Sequence, residues 1–246
     1  LSFVHENFDG FSGAVEGNNN FEPWGAGAGA NTSATQAYSP GNSVDVKGGT
    51  DLVRRFNGRT TGQHTFSIMQ YIPQGLSASS FFILMSDYGA SNKWAVQVKF
   101  NPSTNMVESD AGGAAAGATA AIQYDKWVEI KCVIDLDQDW VQFHYDGVLL
   151  DDAAVADHPT LGGGHKWTGG PFGNTGGPLN IGNVDLFANN ASSVYYDDMK
   201  LSQADTFCDD FNDRAPGSDI VSNNMRPHQK WEGWGGSAAV TSNFSK

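Results

Sequence analysis

Basic residues are scarce in this sequence. It holds 14 lysines and arginines against 27 aspartates and glutamates, a formal net charge of −13. That balance repels phosphate backbones and anionic headgroups, which argues against nucleic acid or an anionic membrane surface as partner. It suits a soluble protein, and one able to hold a cation. Long apolar runs are also missing. Nowhere do about 18 apolar residues follow one another, so no segment is expected to span a membrane. Cysteine is reduced to Cys132 and Cys208, with no CxxC, CxxCH or His/Cys cluster to suggest zinc or haem. Amphipathic helix faces are hard to find. The longest alanine-rich run, Ala111–Ala121, is interrupted by glycines and makes a poor helix. No Gly-Lys-Ser/Thr follows the glycines at 162–164, so they are not a phosphate loop. The first residue is Leu1, as expected of a processed or trimmed chain, so a missing signal segment says nothing about compartment.

What is present reads as strands and turns. The 246 residues include 30 glycines, with 39% apolar and 12% aromatic residues, enough for a large all-β core. The clearest pattern is Lys126–Gly147, KWVEIKCVIDLDQDWVQFHYDG. Val128, Ile130, Cys132, Ile134 and Leu136 alternate with Trp127, Glu129, Lys131, Val133 and Asp135, and Val141, Phe143 and Tyr145 resume the period after the turn. Period two over this length predicts a hairpin with one face in a core, which buries Cys132 as a free thiol; a Cys132–Cys208 disulfide is the alternative. Further strands are predicted at Val4–Phe8, Ser43–Val46, Asp51–Phe56, Gln63–Ile72, Phe81–Met85, Lys93–Phe100, Met106–Glu108, Ala120–Tyr124, Val148–Leu150, Leu179–Ile181, Val184–Phe187 and Val194–Leu201. About a dozen short strands without helices imply an all-β sandwich or jelly roll of antiparallel sheets.

The last residues echo the first. Phe211-Asn212-Asp213 resembles Phe8-Asp9-Gly10, and Trp234-Gly-Gly-Ser resembles Trp24-Gly-Ala-Gly. Two regions are therefore expected: a sandwich over 1–205, and a partial second repeat over 206–246 that packs on its own domain or lends strands to a neighbour.

Glu6-Asn-Phe-Asp-Gly10, the Trp127-Val-Glu-Ile…Phe143-His-Tyr-Asp-Gly147 pattern and Val194-Tyr-Tyr-Asp-Asp-Met-Lys-Leu201 together resemble the concanavalin A-like lectin/glucanase superfamily, in particular bacterial laminin-G-like jelly-roll modules. The resemblance covers residues 3–203 and implies the fold, not one function, since that fold carries lectins, adhesion modules, hydrolases and lyases. The Glu-x-Asp-x-x-Glu strand motif of its retaining glucanases has no match here. The strand motifs of its alginate lyases are missing too. The resemblance also implies a structural calcium where the last strand meets the first, with Glu6, Asp9, Asp197 and Asp198 as the oxygen donors. Asp135-x-Asp137-x-Asp139 has calcium-loop spacing, but Trp140 and Asp146 stand where an EF-hand needs Gly and Glu, so a solvated hairpin turn is expected instead.

A glycan site needs aromatic platforms and planar polar side chains on one sheet face. The polar phases of the predicted strands offer Gln97 and Lys99, Glu129 and Lys131, and Gln142 and His144, with Trp127 in phase with Glu129. If these strands are neighbours, they form one surface with a tryptophan at its rim; otherwise they are an ordinary solvated face. His165, Trp167 and Phe172 in the glycine-rich loop are the other candidates, expected to be exposed for binding or assembly. The leading expectation is a non-catalytic extracellular module that binds glycans or mediates adhesion. The alternative is a self-assembling subunit, a homo-polymer joined through residues 206–246 by strand addition. A polysaccharide hydrolase or lyase is the third.

Overall fold

The computed structural model describes residues 2–110, 117–151, 155–170 and 176–203. Phe172, Cys208 and the partial repeat expected over 206–246 lie outside the described residues.

The described residues form two antiparallel sheets and no helix. In chain order the strands are β1 (Ser2–Glu6), β2 (Phe21–Pro23), β3 (Asn31–Ser33), β4 (Ser43–Val46), β5 (Asp51–Arg55), β6 (Gln63–Tyr71), β7 (Ser80–Asp87) and β8 (Lys93–Asn101). They continue with β9 (Met106–Ser109), β10 (Thr119–Ala121), β11 (Trp127–Asp135), β12 (Trp140–Tyr145), β13 (Val148–Leu149), β14 (Asn183–Phe187) and β15 (Val194–Gln203). One sheet has eight strands in the order β13-β12-β11-β6-β15-β4-β3, with β1 also paired to β15; the other has seven, β10-β9-β8-β7-β14-β5-β2. This is a concanavalin A-like jelly-roll sandwich.

The alternation read from the sequence sets the inner faces. On β11, Val128, Ile130, Cys132 and Ile134 are buried in the main core, facing Phe82, Leu84, Val96 and Val98 of the other sheet's inner phase. Cys132 is a free, buried thiol whose pKa is raised by burial. Inside the same core the Gln70 amide nitrogen donates to the Tyr196 hydroxyl at 3.0 Å, while its amide oxygen has no partner.

Two irregularities move side chains off the simple alternation. On β8, Leu84 pairs with Val96 but Met85 pairs with Trp94, so Ala95 is an extra residue. A bulge of this kind re-aims the residues beyond it. It turns Trp94 away from the phase of Val96 and Val98, where alternation alone would bury it. On β15 the register with β6 shifts between Asp197 and Lys200, and Asp198 has φ of 47°. Leu179–Ile181, predicted as a strand, is a turn instead. Asn180 N–H bonds back to Pro178 O, while Ile181 and Gly182 donate separately to Arg59 O and Met85 O.

Candidate ligand-binding face

The outer face of the seven-stranded sheet carries the cross-strand row Val53–Asp185–Ile83–Gln97, flanked by the row Asp51–Phe187–Phe81–Lys99–Glu108. Val53, Ile83 and Met85 are buried, yet they stand apart from the main core cluster, so this outer face is partly covered. Three rings gather beside it. Trp24 N–H donates to Asp51 O, which lays the segment after β2 along β5. The Trp24 ring lies 4.6 Å from Tyr88 and stacks on Trp94 at 6.0 Å with a 20° interplanar angle. Tyr88 sits in the β7–β8 turn, held by Asp87 accepting from Ser91 and by Asn92 accepting from Gly89 N–H. The Arg55 guanidinium covers the Tyr88 ring at 4.5 Å and is bound by Glu22 at 2.7 Å. Burial raises the Tyr88 hydroxyl pKa.

A pocket of about 170 Å3 opens beside Tyr88 and Arg55, lined also by Phe56, Asp87, Asn180, Gly182 and Asn183. Asn183 is 1% exposed, and neither its amide nitrogen nor its amide oxygen has a hydrogen-bond partner. An unpartnered buried amide costs about 1–3 kcal/mol, so it marks a place where a ligand or water group belongs. Two residues further along the same face, Asp185 has the Asp51 carboxyl as its neighbour. Burial, and after it the neighbouring Asp51 carboxyl, raises the Asp185 pKa well above its usual range.

The expected single polar surface does not form, because β8 lies in the other sheet from β11 and β12. Gln97 and Lys99 belong to the face just described, where Lys99 pairs with Glu108 at 3.5 Å. Trp127, Glu129, Lys131, Gln142 and His144 share the outer face of the eight-stranded sheet, with Lys131 directly opposite His144. There Gln142 is taken up by the carbonyls of Leu161 and Gly163, both at 2.9 Å. Burial and the Lys131 charge lower the His144 pKa. Trp127 is one of a group of rings: Tyr71 at 5.5 Å and Tyr38 at 5.8 Å, with Tyr195 beyond Tyr71 at 6.3 Å.

Trp167 corrects the expectation of exposure. It is fully buried in the main core, and its Nε1–H donates to Asn180 O at 3.1 Å. His165 is likewise buried, bridged to Val141 by backbone bonds, with Nε2 against Ala95 O at 2.7 Å. The glycine-rich loop folds inward because Gly164 approaches the β12 backbone so closely that a Cβ would lie 2.4 Å from Val141 O.

The four acids assigned to calcium are not gathered at one point. Asp197 is fully buried and accepts Tyr38 N–H at 2.8 Å, Ser39 N–H at 3.0 Å and Asp198 N–H at 2.7 Å. Its net pKa is raised, because burial outweighs those bonds. Asp198 points elsewhere, towards His5 and Lys200 at 3.6 and 3.7 Å. Asp9 accepts from Asn42 N–H, and Glu6 accepts from Phe8 N–H and Asn19 Nδ2. Among the described residues no three His, Cys, Asp or Glu side chains group to hold a metal. The Asp135–Asp139 turn is not merely solvated: Asp137 accepts Gly62 N–H, and Asp139 binds Thr168 through both backbone and hydroxyl.

Tyr88, Asn183 and Asp185 were not singled out from the sequence, and Trp24 was named only for its likeness to Trp234. Asn183 and Asp185, alternating with Val184 and Leu186, gave a legible sign of a polar outer phase.

No family model and no curated protein sequence matches the chain. Its fold is similar to that of a sialidase, with TM-score 0.53 and 11% identity, covering 82% of this chain and 18% of that one. The T. cruzi calreticulin globular domain is similar at TM-score 0.51 and 11% identity, over 82% of this chain and 88% of that one. A carbohydrate-binding module, CBM66 from Bacillus subtilis, superposes more loosely, at TM-score 0.43 and 12% identity over 75% of this chain and 96% of that one. The chain thus spans under a fifth of the sialidase's length. At these identities the likeness defines the class of fold, a concanavalin A-like sandwich.

Proposed function

We propose that the chain is a non-catalytic glycan-binding module, acting outside the cell, and that its ligand lies on the outer face of the seven-stranded sheet. The observation that carries the reading is Asn183, a buried amide with a free donor and a free acceptor, lining a pocket beside the Trp24–Tyr88–Trp94 rings. Sugars present apolar C–H faces and pairs of hydroxyls that each donate and accept. Rings take the first and a planar amide takes the second. The rings on the eight-stranded sheet form a second aromatic group, but the pocket lined by an unpartnered amide is on the first face.

A glycan array followed by titration calorimetry tests this. Binding of an oligosaccharide that Asn183→Ala weakens supports the reading. No binding across neutral, acidic and sialylated glycans removes it.

A further inference from the structure

We propose that Lys131, His144 and Ser67 form an anion site on the outer face of the eight-stranded sheet. It takes the carboxylate of a small amphipathic acid whose apolar body lies in the adjoining cleft. The pairing register puts the three side chains in one cross-strand row: His144 is opposite Lys131, and Lys131 is opposite Ser67. Lys200 continues the row beyond Ser67. Side chains directly opposite one another have Cβ atoms about 4.5–5.5 Å apart, so one carboxylate can reach both the Lys131 ammonium and the His144 ring. Among the described residues Lys131 makes no ion pair. His144 Nε2 is buried and has no hydrogen-bond partner. Burial and the Lys131 charge lower the His144 pKa, so at neutral pH the ring is uncharged and its Nε2–H tautomer donates beside the lysine. In a chain of net charge −13, this row is a local reversal of sign.

The next outward-facing row supplies the apolar part. Rows on one face of a sheet lie about 6.6–6.8 Å apart. The row beside Lys131 is Gln142–Val133–Thr65–Ser202. Val133 is an exposed apolar side chain, and it lines a cleft of about 120 Å3 together with Gln63, Asp135, Trp140, Gln142 and Leu161. Trp140 Nε1–H donates to Gly163 O and Gln142 Nε2 donates to Leu161 O, which holds the loop as a wall against β12. Asp135 is already bonded by Gln63 Nε2 at 2.7 Å and Gln138 N–H at 3.0 Å. The other charges on this face leave Lys131 open. Lys200 and His5 share Asp198 at 3.7 and 3.6 Å, and Asp197 accepts loop amides. Glu129, two residues from Lys131 on β11, is the nearest acid by register, and no ion pair joins the two. A carboxylate on the Lys131 row with a tail over Val133 meets both features at once. The site lies on the opposite sheet from Asn183, so the inference does not depend on the glycan reading.

The experiment is an NMR titration of the full chain with hexanoate, following the His144 ring and Val133 methyl signals. Hexanamide, which lacks the charge, and acetate, which lacks the tail, are titrated separately. The expected result is that hexanoate shifts both signals with an apparent Kd on the order of 10−3 M. Hexanamide and acetate should each bind about tenfold more weakly. Lys131→Met should weaken hexanoate by about tenfold or more, the loss of one charge-assisted hydrogen bond. Lys126→Met removes an equal charge from the Asp146 pair and should leave the affinity unchanged. Unchanged hexanoate affinity in Lys131→Met, or equal affinity for hexanamide, overturns the proposal. If Lys131→Met does not fold, the wild type decides: hexanoate that leaves the His144 and Val133 signals unmoved overturns it.

Discussion

Removing the Asp197 carboxylate should release the loop that crosses the eight-stranded sheet. Asp197 sits on β15 just before the bulge, and its carboxylate accepts two loop amides, Tyr38 N–H at 2.8 Å and Ser39 N–H at 3.0 Å. The Ser39 hydroxyl is within 3.3 Å of the same oxygen. Hydrogen bonds to a charged group contribute about 1.5–3 kcal/mol each, which gives the two amides a ceiling of about 3–6 kcal/mol. Two effects reduce it. Burying the carboxylate is itself costly, as its raised pKa indicates, and Tyr38 is 51% exposed, so water can reach the freed loop. A loss of roughly 2–4 kcal/mol remains for Asp197→Ala. Urea unfolding at neutral pH measures the loss, and amide hydrogen exchange at Tyr38 and Ser39 localises it. Asp198→Asn is the control. Its ion pairs are long and its partners exposed, so it should cost about 0–1 kcal/mol; asparagine also tolerates the positive φ there. If Asp197→Ala unfolds like the wild type, or if Tyr38 and Ser39 keep their protection, the clamp is not what holds this loop.

Two further outcomes follow from buried groups. Burial lowers the His165 pKa from its ordinary 6.5, against smaller raising effects from Ala95 O and the Asp139 charge. The folded protein therefore binds fewer protons than the unfolded chain, and stability should fall as pH drops through 6.5 towards the folded-state value. Each tenfold rise in proton concentration across that window costs up to about 1.4 kcal/mol. His165→Gln should lose less between neutral and mildly acidic pH in urea titrations, and an equal loss would contradict the assignment. Trp167→Phe keeps the ring but leaves Asn180 O without its donor, and should cost about 1–3 kcal/mol. Trp167→Ala should cost about 3–5 kcal/mol, both read from urea midpoints. A neutral Trp167→Ala would mean that the glycine-rich loop is not part of the core.

The hairpin at β11–β12 was legible because period two is a property of the chain itself: Val128, Ile130, Cys132 and Ile134 had to face one way. The split of the polar surface was not legible. Gln97 and Lys99 have the same local pattern as Glu129 and Lys131, and only strand order, set by long-range pairing, puts them on different sheets. A single extra residue at Ala95 turns Trp94 out of the strand's alternation, which period two cannot register. Asp197 showed as an acid at a strand end. Whether its oxygens meet a cation or backbone N–H groups depends on a loop more than 150 residues earlier in the chain. Trp167 lay among glycines and looked exposed, yet those glycines are what let its loop press inward on β12.

The central claim is that ligand binds beside the Trp24–Tyr88–Trp94 rings rather than on the opposite face. Calorimetry with an array-positive oligosaccharide on Trp94→Ala and Trp127→Ala tests it directly, with circular dichroism to confirm that both fold. Trp94→Ala should lose about tenfold or more in affinity, the ~1.4 kcal/mol of one stacked ring, and Trp127→Ala should match the wild type. The opposite pattern, full affinity in Trp94→Ala and loss in Trp127→Ala, would place the site on the eight-stranded sheet and contradict the account.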